Sequence, residues 1–220
     1  MTVTARHKVP ATGKFKVKTS RTPDSVVCLD VEPVTFAQLW ASYPKEGKPH
    51  KNPNYKNQCA IRVSIALHGA GVDMKSFSQK KVPKMPGKET LGRDLYGDPK
   101  LPVALRAYEM ATWLKQQRQF CGMPEKPQDI TGEDWEMKVR GRTGIIYFFG
   151  YWRQDGDADG AELTGGHIDL WNGQRLTVSS LPSVFSTFGR WAGFSSALPR
   201  WSWGYADLGL SREILFWEIK

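Results

Sequence analysis

The sequence predicts an α+β fold in which a helix bearing a cysteine packs on an antiparallel sheet. Three observations carry that prediction: helical periodicity fills the first half of the chain, β-prone runs fill the second, and an Asn-Gly pair joins two of those runs as a hairpin signal. Helices first and strands after is the order of an α+β domain, since parallel sheets need the two to alternate.

Residues 1–25 are rich in Lys, Arg, Thr, Ser and Pro without a period and read as a basic, flexible arm, leaving 26–220 as one domain. Val26 to Leu29 suggests a short strand. Thr35 is an N-cap candidate, and Phe36, Leu39, Trp40 and Tyr43 recur at helical spacing until Pro44 stops the segment. Residues 44–58 form a Pro, Lys and Asn loop leading to Asn57-Gln58-Cys59-Ala60-Ile61-Arg62, where Asn57 is the expected cap of an apolar helix ending near His68 at Gly69 and Gly71. Residues 72–100 read as a long basic loop that could line a groove, and Leu101 to Gln119 as a second substantial helix after that of Cys59. Gly144 to Trp152 is apolar on both faces and reads as a central strand. Thr164 to Trp171 and Arg175 to Val178 flank Asn172-Gly173 as a hairpin, and Glu213 to Ile219 closes the sheet.

A chain of 220 residues can bury a core without a metal or disulfide staple. Its net charge of +9 draws it towards polyanions, among them nucleic acid, anionic membranes and an acidic cell wall. A nucleic-acid module should interleave aromatics with its basic residues, yet the arm carries only Phe15, so no nucleic-acid partner is expected. No run is long enough to span a bilayer and the N-terminus lacks the apolar stretch of a secretory signal, so any export is expected to need no cleaved leader. Cys28, Cys59 and Cys121 are too few and scattered for zinc; if Cys28 and Cys121 pair, Cys59 is the free thiol. No cofactor or metal is expected. Asp155-Gly156-Asp157-Ala158-Asp159-Gly160 begins like a calcium loop, but Gly166 stands where the bidentate Glu belongs.

Cys59 would sit in the first turn of its helix, where free N–H groups and the dipole favour the thiolate and the Cys59 N–H can join an oxyanion hole, with Arg62 adding to the field. The alternative is a buried core cysteine. A nucleophile needs a base, and of the four histidines His7 lies in the arm, His50 in a loop and His68 at the far end of the helix. His167, in Gly165-Gly166-His167-Ile168-Asp169-Leu170-Trp171, remains. Gly165 and Gly166 would let a substrate backbone approach, with Trp171 as a further substrate contact. A two-residue turn at Asn172-Gly173 would pair Trp171 with Gln174, Asp169 with Leu176 and His167 with Val178. Asp169 shares the face of His167 and is the expected third member, while a one-residue slip would offer Ser179.

These segments, together with Phe36 to Pro44, Gly144 to Phe148, Gly166 to Gly173 and Ser211 to Trp217, resemble the fourth family of type VI secretion amidase effectors over about residues 33–220. The resemblance implies a papain-like, NlpC-type peptidoglycan hydrolase that cuts between D-glutamate and meso-diaminopimelate in the peptide stem. It implies delivery by a type VI secretion machine into a rival's periplasm and neutralisation by a cognate immunity protein. It makes Cys59 the nucleophile and His167 the base, with the family's acid aligning near Val178. A polyanion-binding module, or a cysteine protease or acyltransferase on the same fold, are the competing readings.

Overall fold

The computed structural model describes residues 32–78, 80, 82–154, 162–177 and 206–220. In chain order the elements are α1 (Phe36–Ser42), α2 (Cys59–Gly69), β1 (Arg93–Tyr96), β2 (Leu101–Ala104), α3 (Ala107–Gln116), β3 (Gln128–Asp129), α4 (Trp135–Val139), β4 (Gly144–Trp152), β5 (Gly165–Trp171), α5 (Ala206–Gly209) and β6 (Glu213–Glu218). Strands β3, β6, β4 and β5 lie side by side in that order as an antiparallel sheet, and β1 pairs with β2 as a separate hairpin. The α+β expectation holds.

The continuous apolar run of β4 follows from its place between β6 and β5 with both faces covered. Ile145 and Tyr147 face a large cluster built with α1, α2 and α3, while Ile146 and Phe148 face a smaller one with Trp135, Val139, Trp171 and Phe216. Helix α1 starts as expected, because Thr35 and Gln38 bond each other's backbone N–H groups in a capping box. Helix α2 is buried over most of its surface and crosses α1 closely. A Cβ on Gly69 would fall 2.4 Å from the Ser42 Cβ, so a side chain there would force the two helices apart.

Two expectations are corrected in the middle of the chain. The loop predicted over 72–100 contains β1, and the helix predicted from Leu101 begins only at Ala107, because 101–104 is strand β2. Pro102 has no N–H for a helix ladder, and β2 instead docks on α2. The Ala104 N–H donates to Ser64 Oγ at 3.0 Å, and His68 Nε2 lies 2.6 Å from the Pro102 carbonyl. The hairpin register is also corrected. The bridge after β5 pairs Trp171 with Leu176, so the turn is two residues longer than Asn-Gly alone provides. Asn172 causes this, since its side-chain oxygen accepts the N–H groups of both Gln174 and Arg175 and closes a wider turn.

Cys121 is disulfide-bonded and Cys59 is free. Cys28, the partner considered for Cys121, lies outside the described residues, as do the basic arm, the Val26–Leu29 strand, the acidic loop Asp155–Gly160, Val178 and Ser179. Among the described residues no helix is long and apolar enough to cross a membrane.

Candidate active site

Cys59 is the first residue of α2, at the end of a loop tied down by polar side chains. The Arg62 guanidinium donates to the carbonyls of Pro44 and Gly47, so Arg62, expected to strengthen the field at the thiol, instead staples the loop to the helix. The cap is corrected as well. Gln58, not Asn57, occupies the N-cap position, and its side chain makes no capping bond to the helix.

Helix α2 packs on the face of β5 that carries Ile168 and Leu170. Strand alternation puts His167 and Asp169 on the other face, and it is His167 that reaches the Cys59 thiol. The thiol hydrogen-bonds His167 and receives backbone hydrogen bonds from Ile168 and Ala60. Burial pushes the Cys59 thiol up, but the hydrogen bond and charge of His167, with those two backbone groups, outweigh it and leave the thiol below its ordinary value.

His167 is 5% exposed and Asp169 is fully buried, with His167 Nε2 3.6 Å from Asp169 Oδ2. With Nε2 turned to the carboxylate, Nδ1 is the nitrogen left for the thiol. Burial alone would lower the imidazole, but the Asp169 carboxylate 3.6 Å from Nε2 and the hydrogen bond and charge of Cys59 raise it to about 10. Both shifts act in the direction of thiolate and imidazolium.

A buried carboxylate needs donors, and Asp169 has them. Thr177 Oγ1 lies 2.7 Å from Oδ1 and 2.9 Å from Oδ2, the Thr177 N–H donates to Oδ2, and the Leu170 N–H donates to Oδ1 at 2.8 Å. The same strand thus holds base and acid two residues apart. Thr177 was missed in the sequence because the shorter turn placed Leu176 opposite Asp169. The Asn172 side chain, a common turn-former, was the signal that could have corrected it.

Two expected substrate contacts lie elsewhere. Trp171 is fully buried, donates its indole N–H to the Val139 carbonyl at 2.9 Å and packs edge-on against Trp135, so it cannot line a groove. Gly165 is covered by Trp152, whose ring a Cβ would approach to 2.3 Å. Gly166 is partly exposed beside His167, and a Cβ there would come 3.0 Å from the Phe148 carbonyl. Among the described residues no group of three or more His, Cys, Asp or Glu side chains is arranged to hold a metal.

The chain is similar to several solved structures. A type VI effector–immunity complex, Tae4–Tai4 from Enterobacter cloacae, is 20% identical, covering 86% of this chain and 100% of that one, with a TM-score of 0.47. Tae4 from Enterobacter cloacae by itself is 19% identical, with 86% and 98% covered and a TM-score of 0.44. The Tae4/Tai4 system from Salmonella typhimurium is 19% identical, with 68% and 90% covered and a TM-score of 0.42. No curated protein matches the chain. Residues 55–217 match the family described as type VI secretion system amidase effector protein 4, and the chain belongs to that family.

Proposed function

We propose that this amidase effector hydrolyses the D-glutamate–meso-diaminopimelate amide of the peptidoglycan stem through Cys59, His167 and Asp169. The observation that carries the reading is the free thiol at the start of α2, hydrogen-bonded to a histidine whose other nitrogen faces a buried carboxylate.

The Cys59 thiolate attacks the amide carbon, and the oxyanion is held by the Cys59 N–H at the helix start. Collapse breaks the C–N bond as imidazolium His167 gives its proton to the departing amine, leaving a thioester on Sγ. Neutral His167 then takes a proton from water, whose oxygen adds to the thioester carbon. Collapse releases the D-glutamate carboxylic acid, which loses its proton to solvent, and the thiolate, and His167 is again imidazolium. Asp169 stabilises that charge and fixes the ring orientation. The positive chain suits an anionic wall in a rival's periplasm. The family and the immunity complexes of similar effectors favour delivery by a type VI secretion machine and a cognate immunity partner here.

Mass spectrometry of digested peptidoglycan tests the reading. Wild-type protein should release stem fragments ending in D-glutamate and leave casein intact, while Cys59→Ala and His167→Ala should release none. Wild-type rates in either variant, or cleavage of casein alone, would sink it.

A further inference from the structure

One side chain in the loop before Cys59 makes hydrogen bonds that all point away from the helix it precedes. Gln58 is 6% exposed. Its Oε1 accepts the His50 N–H at 3.0 Å, and its Nε2 donates to the His50 carbonyl at 2.9 Å and to the Tyr55 carbonyl at 3.1 Å. Only an amide satisfies that set, since one N–H must meet an oxygen and two carbonyls must meet N–H groups. The clamp is braced from the β1 hairpin: Tyr55 donates to Asp94 at 2.7 Å, His50 Nε2 lies 3.5 Å from the same carboxylate oxygen, and the His50 and Tyr55 rings are 4.9 Å apart.

The consequence falls on the helix. A residue at the N-cap normally turns its side chain onto the second or third N–H of the first turn. Gln58 does not, and the first intrahelical bond runs from the Arg62 N–H to the Gln58 carbonyl. The first-turn N–H groups are left uncapped next to the thiol, and Ala60 is already one of the backbone groups bonding Cys59.

We propose that Gln58 is a positioning residue: by committing its whole amide to His50 and Tyr55 it fixes the loop that delivers Cys59 and keeps the α2 terminus uncapped, so that its N–H groups serve the thiolate and the oxyanion. This rests on Cys59 being the nucleophile. It gives a residue outside the reacting atoms control over the reactivity of the thiol.

Three variants separate this from a structural role. Gln58→Ala neither clamps nor caps, Gln58→Ser caps without clamping, and Gln58→Glu keeps the length but turns a carboxylate onto two carbonyls. Gln58→Ser should melt at or above the temperature of Gln58→Ala, because serine is a strong cap. Its kcat should nonetheless fall about tenfold or more below wild type and no higher than that of Gln58→Ala, with KM little changed. Alkylation of Cys59 by iodoacetamide, followed by mass spectrometry across pH, should show its midpoint moved upward in Gln58→Ser and Gln58→Glu. The alkylation readout needs no substrate, so an inactive wild type sinks the amidase reading alone. If Gln58→Ser regains activity with stability, or keeps the wild-type alkylation midpoint, the positioning role is wrong.

Discussion

The two halves of the candidate site are held by different means. The Cys59 side rests on side-chain bonds to loop carbonyls, from Arg62 to Pro44 and Gly47 and from Gln58 to His50 and Tyr55. The His167 side rests on a strand in the core, with Asp169 fully buried and its oxygens bonded to neighbours no more than eight residues away. A strand fixes direction through its two-residue period, so base and acid are aligned by the sheet itself. A loop has no period, and it stays in place only while specific donors meet specific carbonyls. The nucleophile is therefore the adjustable partner and the base the fixed one.

The sharpest way to break the comparison is at the fixed side. Asp169→Asn keeps the shape and two of the acceptor contacts but removes the charge facing Nε2, and should lower kcat by on the order of 10²–10⁴ with the fold intact. Full activity in stem-fragment release would mean that the buried acid serves only the strand.

The pH dependence of stability comes next, and its two arms belong to the two sides. His167 is raised from its ordinary 6.5 to about 10, so its contribution is complete below 6.5 and is lost as pH rises through about 10. Cys59 is lowered, so its contribution is complete above the ordinary thiol value of 9.0 and is lost as pH falls through its lowered value. The two windows run in opposite senses: the His167 share is largest below pH 6.5 and declines towards about pH 10, while the Cys59 share is largest above pH 9.0 and declines as pH falls. Urea midpoints of wild type at about pH 5, 8 and 10.5, compared with Cys59→Ser, read this directly. Parallel curves for the two proteins would remove the ion pair from the resting enzyme.

The smallest expected effect is on the adjustable side. Arg62→Met deletes the charged donors of the Pro44 and Gly47 carbonyls while keeping an apolar stem, and should cost about 2–3 kcal/mol in urea denaturation. Activity should fall as the loop loosens, with β4 and β5 unaffected in hydrogen exchange. Loss of protection in those strands would show that the two sides are not independent.

The Thr35 cap of α1, a helix whose first turn holds Cys59, the buried central strand Gly144–Trp152 and the closing strand from Glu213 were all legible in the sequence. Each is written in a local pattern of cap, period or unbroken apolar run. Cys59, His167 and Asp169 were legible too, since a thiol at a helix start and two polar residues on one face of an apolar strand break those patterns. Features set by packing at a distance were not. The β1–β2 hairpin replaced the start of a predicted helix, Trp171 turned into the core, and the turn after it was longer than its Asn-Gly pair suggested.

The amino-acid sequence by itself determined which faces are apolar and which residues can do chemistry, because burial period and side-chain type are properties of a short window. The tertiary structure alone decided which groups meet. Gln58 reaches His50, Arg62 reaches Pro44 and Gly47, and Thr177 reaches Asp169 across 8 to 18 residues of chain whose path depends on turns and docking surfaces elsewhere. A hydrogen bond is satisfied only within a few tenths of an ångström, and no local pattern sets the course of a loop to that precision.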